Sequence, residues 1–186
     1  AGVDEASLRS WMKARGLALI VSRNVTQRDR ADVQQPYNLR VPGGVQSVPK
    51  SGKIYDVSWM QMVQADLLRG YGNFKGRRTI PQYMHDEGGT NPVTTGAPVA
   101  SVQVATDGSF AAFVPAQRAL SWQLLDPAGN PVVRERNWIT TQPGEIRTCP
   151  SCHGINTASQ TGAQTPENPP AALKALLEHW ADQNGG

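Results

Sequence analysis

The run Cys149-Pro150-Ser151-Cys152-His153-Gly154 has the residue types and spacing that could do chemistry. Two thiols separated by two residues, with a histidine directly after the second, read as a covalent c-type haem attachment site. Each thiol adds to one vinyl group of the macrocycle and becomes a thioether. Cys149 and Cys152 lie three apart, so on a helical turn both sulfurs reach one edge of the ring. His153 then points its imidazole at the iron as the proximal ligand. Three other chemistries share part of this pattern. A thioredoxin-like redox pair belongs in a βαβ context, which the flanking sequence lacks. A structural zinc site takes four ligands, whereas the chain has only these two cysteines, and His85 and His179 stand apart. A disulfide across so short a loop would be a poor staple. The expectation is one covalent haem c, held by Cys149, Cys152 and His153.

A sixth iron ligand has to come from elsewhere in the chain, because no methionine follows Cys152. The candidates are Met12, Met60, Met62, Met84, His85 and His179. Met12 belongs to the apolar face of a first helix. Met60 and Met62 share a strand face and suit packing as well as ligation. His179 lies off the apolar stripe of a last helix, toward solvent. Met84 and His85 stand in the glycine-flanked stretch Tyr83-Met84-His85-Asp86-Glu87-Gly88-Gly89. A loop held on a rigid sheet commonly presents a ligand, and Asp86 or Glu87 could orient an imidazole. His85 is therefore the first distal candidate, with Met84 and Met60 as alternatives. A second histidine would lower the reduction potential, a methionine would raise it, and an open position would admit small ligands.

The elements that must position this segment are mainly β. Asp4 can cap a short helix through about Arg15, with Leu8, Trp11 and Met12 on one face and Gly16 as its stop. Leu17 to Val25 reads as a buried strand, and Asn38 to Val41 as a short one closed by Pro42-Gly43-Gly44. Lys53 to Leu68 alternates as a strand, with Tyr55, Val57, Trp59, Gln61 and Val63 on one face. Gly70 to Pro98 reads as a long functional loop. From Ala100 the pattern predicts a four-stranded antiparallel meander, with turns at Asp107-Gly108 and at 126–130. A polar loop over 155–167 follows the haem run. Asn168 is the expected cap of a last helix whose stripe is Leu173, Leu176, Leu177 and Trp180. Trp59, Trp122 and Trp138 read as core aromatics, and Asp126, Glu135 and Glu145 as solvated carboxylates. The fold class expected is an antiparallel β-sandwich of Greek-key or transthyretin-like type. It has a C-terminal CxxCH excursion and short helices at either end. Residues 1–186 form a single haem-binding domain: 1–98 helix, strands and loop, 99–140 meander, 141–186 attachment segment and closing helix.

The 186 residues, 39% apolar and 18% charged, suit one globular domain. A net charge of +3 would be largely offset by two haem propionates, so it gives no reason to expect nucleic acid. Neither a signal sequence nor an apolar run of membrane-spanning length is present. Ala1 is thus expected to start a mature chain or an excised domain. Thioether attachment in bacteria takes place outside the cytoplasm, so the expected location is periplasmic or secreted.

A likeness runs through the same residues. It is carried by Asp107-Gly108-Ser109-Phe110-Ala111-Ala112-Phe113-Val114-Pro115-Ala116, by Trp122-Gln123-Leu124-Leu125-Asp126 and Gly129, by Gln142-Pro143-Gly144-Glu145 and by the CxxCHG. This pattern resembles the haem-bearing β-rich domain of the hydrazine synthase α-subunit-like family. The resemblance implies an antiparallel β fold outside the cytoplasm with one c-type haem. In that family a tyrosine shortly after the haem motif is an iron ligand. Here Gly154-Ile155-Asn156-Thr157 follow, which favours ordinary ligation by His153. Electron transfer to a redox partner protein is the first functional expectation, since one haem needs no second catalytic group. A haem enzyme or gas-binding module with an open distal site is the alternative. A structural role for the haem is the third, and Arg134, Arg136 and Arg147 are candidate propionate anchors.

Overall fold

The computed structural model describes residues 2–26, 37–38, 47–50, 53–55, 57–71, 74–84, 89–135, 137–149 and 168–185. In chain order the elements are α1 (Glu5–Ala14), β1 (Leu17–Ser22), β2 (Tyr37–Asn38), β3 (Ser47–Lys50), β4 (Lys53–Tyr55), β5 (Trp59–Tyr71), β6 (Phe74–Tyr83), β7 (Ser101–Gln103), β8 (Phe110–Pro115), β9 (Leu120–Leu125), β10 (Pro131–Arg134), β11 (Ile146–Cys149) and α2 (Ala171–Asn184). The fold is mainly β.

Two open sheets carry it. The smaller has the order β11-β1-β8, and the larger has β2-β10-β9-β5-β6, with β7 also on β5. β3 and β4 form a separate pair. The reason β1 reads as an unbroken apolar run is that both its faces are buried. Ala18 and Ile20 join the core between the two sheets, with Ala112 and Val114 from β8, Met60 and Met62 from β5, and Leu120 and Leu124 from β9. Leu19 and Val21 point the other way, into a cluster with Leu8, Met12, Phe113 and Leu176. Both helices therefore cover the outer face of the smaller sheet. Phe110 and Phe113 are fully buried on opposite sides of β8, and truncating either to alanine would cost about 3–5 kcal/mol.

Helix α1 forms as its sequence suggests. The Asp4 carboxylate accepts the Ser7 N–H at 2.8 Å, and Gly16 at φ +63° ends the helix. Trp11 reaches Phe113, ring centroids 5.0 Å apart. The α2 stripe also packs as expected, with Leu176 buried and Leu173, Leu177 and Trp180 against the same cluster.

Several expectations are corrected. The smaller sheet is mixed, because β11 returns parallel to β1 while β8 runs antiparallel to it. The meander does not form as a unit. The Asp107-Gly108 turn is present, but β7 pairs with β5 whereas β8 pairs with β1. Its two arms thus diverge into opposite sheets, and only β9 and β10 pair directly. The loop expected over 70–98 contains a ten-residue strand, β6, antiparallel to β5 from Val63↔Tyr83 to Tyr71↔Phe74. Pro81, Gly76 and the basic residues obscure its alternation, yet the Gly72-Asn73 pair between Tyr71 and Phe74 is a two-residue hairpin signal. Asn168 is not the cap of α2. Pro170 holds that position, and the turn before β8 supplies the hydrogen-bond acceptors instead. Trp138 is 39% exposed and is not a core residue. The turn expected at 42–44 and the polar loop at 155–167 lie outside the described residues.

Candidate functional site

The attachment run begins where β11 ends. β11 is held along β1 in the register Leu19↔Ile146, Ile20↔Arg147, Val21↔Thr148, Ser22↔Cys149. The Arg23 N–H donates to the Cys149 carbonyl at 3.0 Å, and the Leu19 N–H donates to the Glu145 carbonyl at 2.9 Å. Neighbouring residues in register share a face. Leu19 and Ile146 face the helices, so Ile20, Arg147, Ser22 and Cys149 lie on the side toward the larger sheet.

Cys149 is a free, half-buried thiol. Burial pushes its pKa up, the Arg147 guanidinium pulls it down, and the Glu135 carboxylate adds to the rise. The thiol is therefore held neutral rather than as a thiolate. Glu135 follows β10 in the larger sheet and contributes to the rise at Cys149 from there. Nothing local in the sequence signals an influence of Glu135 on a thiol of the other sheet. Ser22, in register with Cys149, has a buried Oγ with no hydrogen-bond partner among the described residues.

Arg147 is tied back to Glu145 by an ion pair of 2.8 Å. Glu145 also accepts the Gln142 N–H at 2.7 Å. That backbone bond is the main reason its carboxyl lies below the usual range, with Arg147 contributing. Glu145 is thus the brace of the turn entering β11, not a solvated carboxylate. Asp126 serves likewise in its own turn, accepting the Ala128 and Asn130 N–H groups at 2.9 and 2.8 Å. Of the arginines considered for propionates, Arg134 pairs in register with Tyr37 and Gln123, and Arg136 lies outside the described residues.

Cys152 and His153 lie outside the described residues, as does His85. The two described residues that flank the His85 segment are both anchored. The Met84 N–H donates to the Met62 carbonyl at 3.1 Å. The Gly89 carbonyl accepts from His179 Nε2 at 2.8 Å and from Gln183 at 3.1 Å, both on α2. His179 is accordingly half-buried and bonded rather than solvated. The alternative ligands Met84 and Met60 are 5% and 2% exposed and belong to the core between the sheets, as does Met62. Met12 is in the outer cluster. Among the described residues no three His, Cys, Asp or Glu side chains gather as a metal-ion ligand set. No described helix is long and apolar enough to cross a membrane.

The haem-attachment chemistry can be tested against Cys149. Thioether formation takes a free thiol at a chain exit, partly open to an incoming ring. Cys149 meets these demands.

The family described as hydrazine synthase alpha subunit middle domain matches residues 58–154, just over half of the chain and the whole of the Cys149–Gly154 run. The chain belongs to the hydrazine synthase alpha subunit middle domain family. No curated protein matches it. Among solved structures, hydrazine synthase of Kuenenia stuttgartiensis is similar, with 18% identity and a TM-score of 0.46. That match covers 86% of this chain and 20% of the other, so the chain spans about a fifth of that protein's length. The family match takes in β5 through β11, the strands of the larger sheet that surround Met60 and the strand that delivers Cys149.

Proposed function

We propose that this chain is a single haem-binding domain over residues 1–186, carrying one covalent haem c and passing electrons to a redox partner protein in the periplasm or outside the cell. The observation that carries the reading is Cys149: a free, half-buried thiol at the end of β11, opening a CxxCHG run that the family match includes in full. Cys149 and Cys152 hold the macrocycle and His153 is the proximal ligand. Haem bound in this way supplies a one-electron couple at the iron. His85 is the distal ligand of first choice, with Met84 and Met60 behind it. Support for that order comes from packing: both methionine side chains already fill the intersheet core, whereas Met84 and Gly89, on either side of the His85 segment, are anchored. The two sheets over one core are read as a sandwich of Greek-key or transthyretin-like type, with the CxxCH run as an excursion from its edge.

A second reading is favoured by family membership itself. A haem enzyme or small-gas-binding module with an open distal position would suit a relative of the hydrazine synthase alpha subunit.

The deciding experiment is an absorption spectrum of the reduced protein, made with haem-attachment machinery, before and after CO. A six-coordinate α band unchanged by CO supports electron transfer, and His85→Ala should then open the iron to CO. A five-coordinate spectrum with prompt CO binding supports the second reading. A chain that acquires no haem, or that keeps covalent haem as Cys149→Ser plus Cys152→Ser, defeats both.

A further inference from the structure

The sequence contains one Asn-Gly step, Asn184-Gly185. The carbon of an asparagine amide is a mild electrophile, and the backbone nitrogen of the next residue is the nucleophile closest to it along the chain. Glycine in the second place leaves that nitrogen unshielded by a side chain. Both residues are exposed, so water reaches them. Asn184 is the last residue of α2, and Gly185 follows in the left-handed conformation, φ 71° and ψ 34°.

Folding holds the two reacting groups apart. The Gly185 N–H donates to the Ala181 carbonyl, and Asn184 Nδ2 donates to the Trp180 carbonyl at 2.8 Å. A helical side chain leans toward the helix N-terminus. The bond to Trp180 keeps the Asn184 amide turned that way, while the Gly185 nitrogen lies beyond the other end. The turn that imposes this geometry has weak end electrostatics. Its last residues include no basic side chain, and Asp182 stands at the negative end of the helix dipole. Against fraying, the Gly89 carbonyl ties the turn to the body of the fold, accepting from His179 Nε2 at 2.8 Å and from Gln183 Nε2 at 3.1 Å.

We propose that Asn184-Gly185 is a deamidation site, closed while the last turn of α2 is wound and open when it unwinds. In the open turn the Gly185 nitrogen bonds to Asn184 Cγ and the Cγ–Nδ2 bond breaks. The proton of the Gly185 nitrogen leaves with the side-chain nitrogen as ammonia. The cyclic imide left behind takes up a water. Opening at Cγ gives aspartate on the original backbone, and opening at the main-chain carbonyl gives isoaspartate, with an extra carbon in the backbone. Nothing is oxidised or reduced. Either product opposes rewinding. A carboxylate has no N–H for the Trp180 carbonyl, and it adds its charge to that of Asp182 at the helix end. Isoaspartate also shifts the Gly185 N–H off the Ala181 carbonyl. The turn that carries Gln183 then loosens its hold on Gly89.

The test incubates the full chain at mildly alkaline pH, folded in buffer and unfolded in urea, and follows position 184 by peptide mass spectrometry. The folded chain should react about tenfold more slowly, since its rate follows the open fraction of the turn. His179→Ala plus Gln183→Ala removes the tie to Gly89 and should speed the reaction of the folded chain severalfold. Should circular dichroism show that this pair does not fold, wild type in urea below its unfolding transition replaces it, and deamidation should rise there together with amide exchange at Gly185. Equal rates in the folded and unfolded chain overturn the protection, and an unfolded chain that stays intact at Asn184 overturns the site. A folded double variant that reacts no faster overturns the part given to Gly89. The reacted chain, separated by ion exchange, should exchange its amides over 181–183 faster than the unreacted one, and equal exchange overturns the loosening of the turn.

Discussion

The Arg23 N–H donates to the Cys149 carbonyl at 3.0 Å, so the last residue of β11 is fastened to the residue just beyond β1. Since β1 is the buried centre of its sheet, the chain enters the attachment run from a rigid point. A cofactor held on such an exit starts from a fixed first anchor, and only the segment beyond it has to fit the ring.

The Cys149 thiol should titrate high in the haem-free chain. With Cys152→Ser leaving one thiol, alkylation by iodoacetamide should reach half its maximal rate above the ordinary thiol value of about 8.5. Glu135→Gln should lower that midpoint and Arg147→Gln should raise it, as the causes of the shift require. A midpoint at or below the ordinary value would contradict the placement of Cys149. The folded pKa is raised, so this group's contribution to stability is full below the unfolded pKa. It is lost as pH rises through the folded one.

Asp107 couples a β-turn to α2. Its carboxylate accepts the Ala171 N–H at 2.9 Å, and Ser109 Oγ accepts the Ala172 N–H at 2.9 Å. Asp107→Ala should cost about 1 kcal/mol, the usual size of a helix N-terminal cap, measured by urea unfolding at neutral pH. Burial acts to raise the Asp107 pKa, but the bonds from Ser109 and Ala171 outweigh it and hold the carboxyl low. Its contribution is therefore present above the ordinary carboxyl range and fades as pH falls through the folded value. Wild type and variant should converge in acid, and an equal gap at all pH values would refute the assignment.

Asn91 closes the free edge of β8. Its Oδ1 accepts the Phe113 N–H at 2.7 Å and its Nδ2 donates to the Phe113 carbonyl at 2.9 Å. Asn91→Leu leaves both backbone groups of a buried strand unsatisfied, at a cost of about 2–3 kcal/mol. It also uncovers an edge that can pair with another chain. Thermal unfolding and light scattering should show a lower midpoint and concentration-dependent aggregation. A variant that stays as stable and as monodisperse as wild type would disprove this role.

Gly144 lets α1 pack against the turn that leads into β11. Its φ is +79°, and a Cβ there would lie 2.7 Å from Lys13 Cγ and 3.1 Å from the Arg9 carbonyl. Arg9 Nη1 also donates to the Gly144 carbonyl at 2.8 Å. Gly144→Ala should cost about 1–3 kcal/mol through backbone strain and crowding, with hydrogen exchange quickening at Leu19, whose N–H is bonded to the Glu145 carbonyl. Unchanged exchange would show that the turn adapts without disturbing β11.

The features legible before folding are local ones. Spacing announces CxxCH, because two thiols and an imidazole within five residues owe nothing to distant neighbours. Asp4 and Gly16 mark the ends of α1, and the stripe from Leu173 to Trp180 finds its place, because helix caps and helical faces depend on residues a turn apart. The unbroken apolar run of β1 likewise signals a strand buried on both faces. Which strand pairs with which is settled only by long-range packing. β7 and β8 flank a well-marked turn yet enter different sheets, β7 beside β5 and β8 beside β1. β11 runs parallel to β1, on the edge opposite β8, a pairing between strands more than a hundred residues apart that no local pattern encodes. The Asp107–Ala171 and Asn91–Phe113 hydrogen bonds belong to this second kind. Each joins groups far apart in sequence, and no short-range pattern carries the energy of a contact that exists only once the core has brought its partners together.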